Sequence, residues 1–538
     1  MTVKNEQVKK ASAGNSLLKG TFILTAAGIV VKVIGSLNWI FLSRVLGGEG
    51  IGIYQMAFPL YLLALSVSSA GIPVAISIIT AEKIALHDYR GANRVFKLSL
   101  LLLTVTGLAL SLLLYFKAGW LIEERIIRDA RVYYSLIALS PAIFLVTIIS
   151  SFRGYLQGWQ IMTPTAVSQI VEQLFRVATM LVLASILLPR GLELAAGGAS
   201  LGAGAGAAAA LVVLVYYYWR LKKEKRDLFR AGDTAAGRES GALIIRRLAR
   251  LALPVSLSSI MLPLVANLDL LVVPLRLEEA GYSVEQATEL FGYLTGMAVP
   301  LVNLATILTA ALATSLVPSI AQAYSLGEQG SVYYRTAAAM RLANVATIPF
   351  SIMLWVLAEP VVSVVYHAPG AADATRVMAA GVFLLGLHQV STGVLQGLGR
   401  TTIPVVNMGI AAALKVALNW VLTALPALGI KGAAWATLAD LGVAAVLNLY
   451  FVHRYTGFFL HGRDLLKNTV AALVMGGVMS FGYGWFAALF RSGLPAIALT
   501  SLLGGIAYGG VMLATGGISR QELERTPYVG ALLSRRLK

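Results

Sequence analysis

The residues best suited to do chemistry lie in the stretch SFRGYLQGWQIMTPTAVSQIVEQLFRV at positions 151–177. At about 100° per residue, Gln169, Glu172 and Arg176 fall on one face of a helix together with three hydroxyl side chains. A charge at the centre of a membrane-spanning helix costs roughly 2.5–3.5 kcal/mol, so it normally faces protein or water. Glu172 and Arg176 therefore form a buried pair that fixes this helix, or the polar stripe lines a solvated cavity and presents Arg176 to an anion. Arg153, just before the predicted turn, is expected to anchor the helix end at the membrane interface.

Four more ionisable side chains stand inside apolar runs. Lys32 has no acid three or four residues away, so it faces a cavity as a cation or pairs with an acid from another helix, such as Asp269. Asp269 is in turn a candidate proton or cation site on a broken helix, or the counterion of Lys32. Lys415 shares a helical face with asparagines at four-residue spacing, and it lines a cavity or pairs with Asp440.

The composition indicates that these charges belong to a membrane protein. Of the 538 residues, 58% are hydrophobic and only 13% are charged, about half the charged share of a soluble domain. The chain has no Cys and only five His, none in a metal-binding spacing, and no catalytic constellation is present. We therefore predict no enzyme activity, no metal and no cofactor. The net charge of +18 reflects the positive-inside bias of a membrane protein, and we expect no nucleic-acid partner.

Apolar stretches long enough to cross a bilayer recur along the whole chain. They predict an all-α integral membrane protein with about fourteen transmembrane helices. The predicted divisions are a cytoplasmic leader (1–20), an N-terminal six-helix lobe (21–219), a basic cytoplasmic loop (220–246), a C-terminal six-helix lobe (247–454), helices 13 and 14 (465–516) and a cytoplasmic tail (517–538). With the N-terminus inside, 30 of the 43 Lys and Arg residues are cytoplasmic, 10 are outside and 3 lie within spans. This bias predicts a multi-pass plasma-membrane protein with both termini in the cytoplasm.

The chain also repeats itself. GYLQG at 154–158 recurs as GVLQG at 393–397, and each copy closes a predicted cytoplasmic turn. AGIPVAIS (70–77) has a weaker echo in TSLVPSIA (314–321). Because six spans separate equivalent points, the two halves share one orientation. We predict two parallel-related six-helix lobes with a cavity between them, plus two extra C-terminal helices outside the repeat.

Glycine and proline mark the predicted breaks. The segment LGGEGIGIYQ (46–55) lacks the GK[ST] of a phosphate loop and is predicted to form a tight outer turn. Pro254, Pro263 and Pro274 predict that the seventh span is broken. The overlong second and eighth spans (52–81 and 288–323) are expected to tilt or kink at their prolines.

Two long stretches carry a family resemblance. LGGEGIGIYQMAFPLYLLALSVSSAGIPVAIS (46–77) and the 151–177 stretch closely resemble the stage V sporulation protein B family, polysaccharide-biosynthesis-type transporters of the MOP superfamily related to MurJ lipid II flippases. The resemblance covers essentially the whole chain. It implies alternating access that moves an undecaprenyl-pyrophosphate-linked saccharide from the inner to the outer leaflet without ATP. It also implies that Lys32, Arg176 and, more weakly, Lys415 bind the pyrophosphate, while the last two helices shelter the isoprenoid chain.

One position departs from the family pattern. Members of the family carry an Arg followed by Ile-Pro late in the first span, where this chain reads NWIF with Trp39. The departure implies a different headgroup, or a site that relies on Lys32 and Arg44. The predicted substrate-binding set is completed by Arg176, Lys415 and Gln169, and the predicted ion-coupling or counterion residues are Glu172, Asp269 and Asp440.

The prediction is thus a flippase for lipid-linked envelope saccharides, expected to be monomeric and driven by the membrane potential or by protons or sodium. Its partners would be the lipid-linked saccharide and the surrounding membrane lipids. Two alternatives stay open. A cation-coupled multidrug exporter would have a cavity dominated by acids and aromatics, and a non-transporting scaffold for envelope or spore assembly would tolerate neutralisation of Lys32 and Arg176.

Overall fold

The computed structural model describes residues 2–69, 71–231, 239–490 and 493–517, and its regular secondary structure there is entirely helical. Part of the predicted basic loop (232–238) and nearly all of the predicted tail (518–538) lie outside the described residues. The chain divides into two compact units. The first unit is Met1–Leu275 with Ser283–Gly292, and the second unit is Arg276–Tyr282 with Tyr293–Lys538.

Nine helices begin in the first unit and ten in the second, within the described ranges. Those of the first are α1 (Thr2–Ser69), α2 (Ile72–Ala85), α3 (Tyr89–Glu123), α4 (Tyr133–Gly158), α5 (Thr163–Leu187), α6 (Leu192–Glu224), α7 (Arg226–Ala231), α8 (Gly241–Glu279) and α9 (Val284–Gly292). Those of the second are α10 (Val299–Ala305), α11 (Ile307–Ser325), α12 (Gln329–Val356), α13 (Ala358–Tyr366), α14 (Ala372–Met378), α15 (Ala380–Gly397), α16 (Thr402–Leu422), α17 (Ile430–Thr456), α18 (Gly462–Leu489) and α19 (Gly493–Ala514).

Large apolar side chains cover the outside of these helices. Phe116 is 74% exposed, Val212 70% and Phe481 87%. Exposure to water would cost roughly 25 cal/mol for each Å² of such surface, whereas in hydrocarbon the cost disappears. Among the described residues, twelve helices are long and apolar enough to cross a membrane, or up to thirteen if the bent pair Pro369–Met378 and Ala380–Gly397 is one span.

In α1, two helical segments meet at a kink inside the segment predicted as an outer turn. Gly47 leaves the helical region there, with φ 67° and ψ −174°, a conformation almost confined to glycine. The chain break predicted within 46–55 is thus confined to this kink, and the residues after Gly47 are helical because they pack closely against α9. A Cβ on Gly52 would lie 2.0 Å from the carbonyl oxygen of Thr288, and one on Gly292 would lie 2.3 Å from that of Gly48. The glycines let α1 and α9 touch backbone to backbone.

Helix α8 is continuous through all three of its prolines, so the predicted break in the seventh span is wrong. Asn267 of α8 donates through Nδ2 to the carbonyl oxygens of Pro263 and Pro59, at 2.7 and 2.8 Å. A single amide thus joins two proline-containing helices, α8 and α1.

The two overlong predicted spans are interrupted instead of simply bent. In the second, α1 ends at Ser69 and α2 follows Gly71, whose φ is 74°. The eighth divides into α9, a π-helical segment (Tyr293–Ala298), α10 and α11. Pro73 stands in the first turn of α2, where the missing N–H has no helical partner to lose, and Pro300 is the second residue of α10, which directly follows the π-helical segment.

The two copies of the GxLQG repeat make equivalent contacts. A Cβ on Gly154 would lie 2.6 Å from the carbonyl oxygen of Pro73, and one on Gly393 would lie 2.7 Å from that of Ala313. Each copy therefore packs its helix against an earlier one at the same register. By these contacts, Ala313 is the counterpart of Pro73. The weaker repeat between AGIPVAIS and TSLVPSIA matches Pro73 with Pro318 instead, so that match is out of register by five residues.

Glycines of α6 hold it close to the charged turns of α5. A Cβ on Gly206 would lie 2.5 Å from the carbonyl oxygen of Glu172, and one on Gly202 would lie 2.6 Å from that of Arg176. The backbone of α6 thus fixes the position of both charged residues along their helix.

We expect Gly206→Ala to destabilise the protein by about 1–3 kcal/mol, the usual range for overpacking, because its methyl group would collide with the α5 backbone. The melting temperature of purified protein in detergent would measure the effect. Gly204→Ala is the matched control, since a Cβ there meets no atom within 4 Å. It should leave stability unchanged or raise it by up to about 1 kcal/mol through helix propensity. An equal loss in both variants would contradict the packing role of Gly206.

Candidate functional site

Three charged side chains of the first unit form one connected cluster. Arg153 of α4 donates through Nη2 to Glu172 Oε2 at 2.8 Å, and Arg176 donates through Nη2 to Glu172 Oε1, also at 2.8 Å. Only 17%, 14% and 20% of the Arg153, Glu172 and Arg176 side chains are exposed. One carboxylate therefore bridges two guanidinium groups, and the three-charge cluster retains a net charge of +1.

The hairpin between α4 and α5 brings Arg153 to this position. The turn passes through Gln160, whose φ is 59°, and it brings the end of α4 opposite the start of α5. Arg153 Nε accordingly donates to Ser168 Oγ at 3.1 Å, and Gln157 Nε2 donates to Thr165 Oγ1 at 3.3 Å. The interpretation of Arg153 as an interfacial anchor did not include these bonds, which form because the hairpin turns its side chain toward α5. The short separation of Arg153 from Ser168 across a predicted turn was the signal in the sequence that could have revealed them.

An aromatic face of α1 packs beside the cluster. Trp39 meets the ring of Tyr54 edge-on at 5.8 Å, and Phe58 lies between Tyr54 and Tyr61 at 5.5 and 5.6 Å. Helix α1 packs against α4 and α5, the two helices that carry the cluster. Trp39, which departs from the predicted family pattern, is thus part of an aromatic wall.

Several polar atoms around Arg176 lack hydrogen-bond partners. Among the described residues, Arg176 Nε, the Tyr61 hydroxyl and Asn38 Oδ1 are buried and make no hydrogen bond. Unsatisfied buried polar atoms are rare and call for an explanation, such as an absent ligand or water. Arg176 therefore keeps donor capacity beyond its bond to Glu172, which suits it to bind an anion.

Two further predicted residues lie on the helices that form the cluster. Gln169 is half-buried on α5, and Lys32 is exposed on α1. In the described part of the chain Lys32 makes no hydrogen bond or ion pair, so the structure does not pair it with Asp269. Lys32 lies one turn before Gly35, where a Cβ would be 3.3 Å from Gln173 Nε2, so this part of α1 packs against α5.

The other two predicted residues of the first unit do not join the three-charge cluster through any contact described above. Arg44 is exposed and Asp269 is half-buried, and each has an interaction partner elsewhere. Because α8 is unbroken, Asp269 does not stand at a helix break as the prolines had predicted.

Lys415 and Asp440 belong to the second unit. Lys415 is buried, 6% exposed, and both residues have interaction partners. The repeat offset of 239 places Lys415 where Arg176 stands in the first copy, and it places Ala411 where Glu172 stands. The second copy therefore keeps the cation of α5 and loses the bridging acid.

Neutral side chains stand where Arg153 and Ser168 stand in the first copy. Asn448 Nδ2 donates to Thr392 Oγ1 at 3.0 Å, and Asn407 Nδ2 donates to Asn448 Oδ1 at 2.8 Å. By the same offset, Thr392 and Asn407 are the counterparts of Arg153 and Ser168. The two halves thus share a helix framework but differ in polarity.

We expect Glu172→Gln to destabilise the protein by about 3 kcal/mol, because it leaves two largely buried arginines without their shared counterion. Melting temperature in detergent would measure the loss, and the double variant Glu172→Gln with Arg153→Gln should recover part of it. Glu224→Gln provides the control. Glu224 pairs with Arg220 at the same i, i+4 spacing, but these side chains are 54% and 59% exposed, so the cost should stay below about 1 kcal/mol. Equal losses for both glutamates would contradict the bridging role of Glu172.

Known proteins resemble this chain along nearly its whole length. The model of the family described as "Polysaccharide biosynthesis protein" matches residues 17–324, and the MatE model matches residues 295–421. Stage V sporulation protein B of Bacillus subtilis (strain 168) is 32% identical over 97% of this chain and 100% of its own length. The lipid II flippase MurJ of the same organism is 26% identical over 86% of this chain and 87% of its own length.

The fold agrees with this relationship. A solved structure of the lipid II flippase MurJ in an inward closed conformation matches with a TM-score of 0.68, covering 94% of this chain and 100% of that one at 14% identity. Together with the full-length relative, the family match over more than half of the chain identifies an all-helical, multi-pass membrane transporter and not an enzyme. This chain belongs to the polysaccharide biosynthesis protein family.

Proposed function

We propose that this chain is an alternating-access flippase that moves an undecaprenyl-pyrophosphate-linked saccharide from the inner to the outer leaflet. The membrane potential or a proton or sodium gradient would drive the cycle. The observation that carries the proposal is the three-charge cluster of Arg153, Glu172 and Arg176, which has a net charge of +1. The two helices that carry the cluster, α4 and α5, both pack against α1.

The chemistry of the cluster suits a pyrophosphate. Guanidinium groups bind phosphate oxygens through charge-assisted hydrogen bonds, and Arg176 has a buried Nε that makes none. Lys32 adds a further cation, and it makes no ion pair or hydrogen bond with any described residue. Glu172 would hold both arginines in place between transport cycles, and its charge would limit the affinity so that the ligand can leave.

The relatives support this substrate class. One relative, matched over most of its length, is named a lipid II flippase, and the one at 32% identity is named stage V sporulation protein B. The first name states a lipid-linked substrate, and the second states a role in sporulation. A lipid-linked precursor of an envelope polysaccharide is the substrate that fits these names and a cationic site together.

We propose fourteen crossings with both termini in the cytoplasm. The run Ala26–Ala85 is 60 residues long, about twice what one tilted crossing needs, and it contains the Gly47 kink. Counting that run as two spans and the bent pair as one gives fourteen. The positive-inside bias then orients the chain, and two six-helix lobes of parallel orientation are followed by α18 and α19.

In this topology the close contact between α1 and α9 lies on the outer side and would act as the outer gate. Asp129, 3% exposed, accepts a hydrogen bond from the Thr288 hydroxyl at 2.8 Å and is bound by Arg131. Arg131 Nη1 also contacts Glu49 at 2.5 Å, two residues beyond the kink. Opening toward the outside would require these contacts to separate.

The match to the MatE model favours one alternative, a cation-coupled multidrug exporter. Cationic drugs would be repelled by a cluster with a net positive charge and by Lys32, whereas anionic headgroups are attracted. A test on lipid-linked substrate separates the flippase from both the exporter and a non-transporting scaffold.

We expect Arg176→Gln and Lys32→Gln each to slow leaflet exchange of lipid-linked disaccharide-pentapeptide by at least about tenfold, because the headgroup loses a cation. Proteoliposomes with and without an imposed potential, assayed for substrate exposed on each face, would measure the rate. Lys117→Gln is the control, since Lys117 is an exposed cation at the end of α3. Wild-type protein that gives no exchange, in vesicles where a known flippase is active, would refute this substrate.

We expect a cross-link between α9 and the segment just before α4 to arrest transport. The chain has no cysteine, so Asp129→Cys with Thr288→Cys introduces one reactive pair where the native side chains touch. Exchange should stop on oxidation and return on reduction of the same sample. Ser99→Cys with Ser151→Cys is the control, because those hydroxyls lie 3.3 Å apart between α3 and α4 within the proposed N-terminal lobe. Continued exchange by the first double variant, once its introduced pair is fully cross-linked, would contradict the gate.

A further inference from the structure

A cavity of about 720 Å³ lies in the second unit between α12, α14, α17 and α18. Its walls are mainly apolar, and they include Trp355 and Trp435, which are 55% and 52% exposed. Three charged residues also line it: Asp373, Arg376 and Lys431. The cavity therefore joins an apolar space to a small ionic cluster, so it suits a ligand that has both an apolar and a charged part.

The ionic cluster has one acid and two cations. Lys431 Nζ lies 2.9 Å from Asp373 Oδ2, and Arg376 Nη1 lies 3.9 Å from Asp373 Oδ1, which is too long for a hydrogen bond. Neither cation makes any other ion pair or hydrogen bond with a described residue. Their side chains are 43% (Arg376) and 41% (Lys431) exposed, so a ligand can reach them. The cluster has a net charge of +1 and unused N–H donors, and it therefore attracts an anion.

The charged and the apolar parts of the cavity lie at different depths. In the topology proposed above, α12 and α18 run toward the outer side, whereas α17 begins there. Trp355 is then near the outer end of α12, Lys431 is near the outer end of α17, and Leu473 of α18 is close to the bilayer centre. Tryptophan is common at the membrane interface. The cations thus lie at headgroup level and the apolar wall lies at acyl-chain level, which is the order found in a phospholipid of the outer leaflet.

Two neighbouring glycines of α18 shape the apolar part. A Cβ on Gly476 would lie 2.7 Å from Ile352 Cγ2, so α18 packs closely against α12 at this residue. A Cβ on Gly477 would meet no atom within 4 Å, and Gly477 lines the cavity. The backbone of α18 therefore leaves open space at Gly477, in which an acyl chain can lie.

We propose that this cavity binds an anionic phospholipid of the outer leaflet, as in phosphatidylglycerol. The phosphate would accept hydrogen bonds from Arg376 and Lys431, since charge-assisted bonds to phosphate are strong. One acyl chain would follow the apolar wall past Gly477. The bound lipid would join α12, α14 and α17 to α18, so it would stabilise the protein without being transported.

The choice of lipid follows from net charge. The single negative charge of phosphatidylglycerol neutralises the cluster. Phosphatidylcholine and phosphatidylethanolamine have the same phosphate, but each adds an ammonium group beside Arg376 and Lys431. Both oxygens of Asp373 already face one of these cations, so the added ammonium group would be repelled. Comparison of the three headgroups on identical acyl chains therefore isolates the effect of charge.

Native mass spectrometry of the delipidated full-length chain, titrated with each lipid, tests the proposal. We expect phosphatidylglycerol to bind at least about tenfold more tightly than either other lipid and to raise the melting temperature. The double variant Arg376→Gln with Lys431→Gln should remove most of that preference. Gly477→Trp should weaken phosphatidylglycerol binding by filling the space for the acyl chain. Binding in detergent requires no transport, so the result is independent of the proposed flippase activity.

Two matched controls lie outside the cavity. Lys117→Gln with Arg190→Gln removes two exposed cations, and Gly484→Trp enlarges another α18 glycine whose Cβ would meet no atom within 4 Å. Both controls should bind lipid like wild type. Equal binding of phosphatidylglycerol and phosphatidylcholine to wild type would overturn the proposal, as would a phosphatidylglycerol preference that survives both cavity variants. Undecaprenyl phosphate that binds more tightly than phosphatidylglycerol, and loses this binding in both cavity variants, would assign the cavity to the carrier lipid instead.

Discussion

The first unit depends on one electrostatic constraint: an ionised group in an apolar solvent must have a counterion or a ligand. Glu172 meets this requirement for two arginines at once, each at 2.8 Å. Because one carboxylate cannot neutralise two guanidinium groups, a positive charge remains beside the aromatic face of α1. The cluster is thus stable enough to fold and still attracts anions. The second half has no such acid, and its equivalent positions carry Ala411 and a network of amides.

Glycine determines how the helices around this charge approach each other. In a bilayer, apolar helices gain little from hiding apolar surface from lipid, so close backbone contact supplies the attraction. The same device recurs where α6 meets α5 at Gly206, where α1 meets α9 at Gly52, and where Gly154 and Gly393 pack in the two repeat copies. These contacts set the register of the helices, and the register in turn decides which side chains meet.

Much of the fold could be read from the sequence, because it depends on composition and on contacts within one helix. The apolar runs, the GxLQG repeat and the Glu172–Arg176 pair at i, i+4 all have such local signals. The membership of Arg153 in the cluster was missed, since it depends on how the α4–α5 hairpin closes. A second repeat signal was also overlooked: MAFPL at 56–60 recurs as MAVPL at 297–301, near the offset of the GxLQG copies.

Contacts with distant segments changed two of the expectations. Helix α8 is continuous through Pro263, and its Asn267 bonds the carbonyl oxygen of Pro59 on α1, while Gly52 lets α1 pack against α9 just after the kink at Gly47. In both cases a distant segment supplies the partner. The sequence by itself determined that the chain folds in a lipid bilayer, that it is helical, and that side chains one turn apart, such as Glu172 and Arg176, pair with each other. These properties depend on local apolarity and on helix geometry. Only the tertiary structure decided which charges share a counterion, which prolines leave a helix intact and which amide stays unsatisfied, because each depends on a partner far away in the chain.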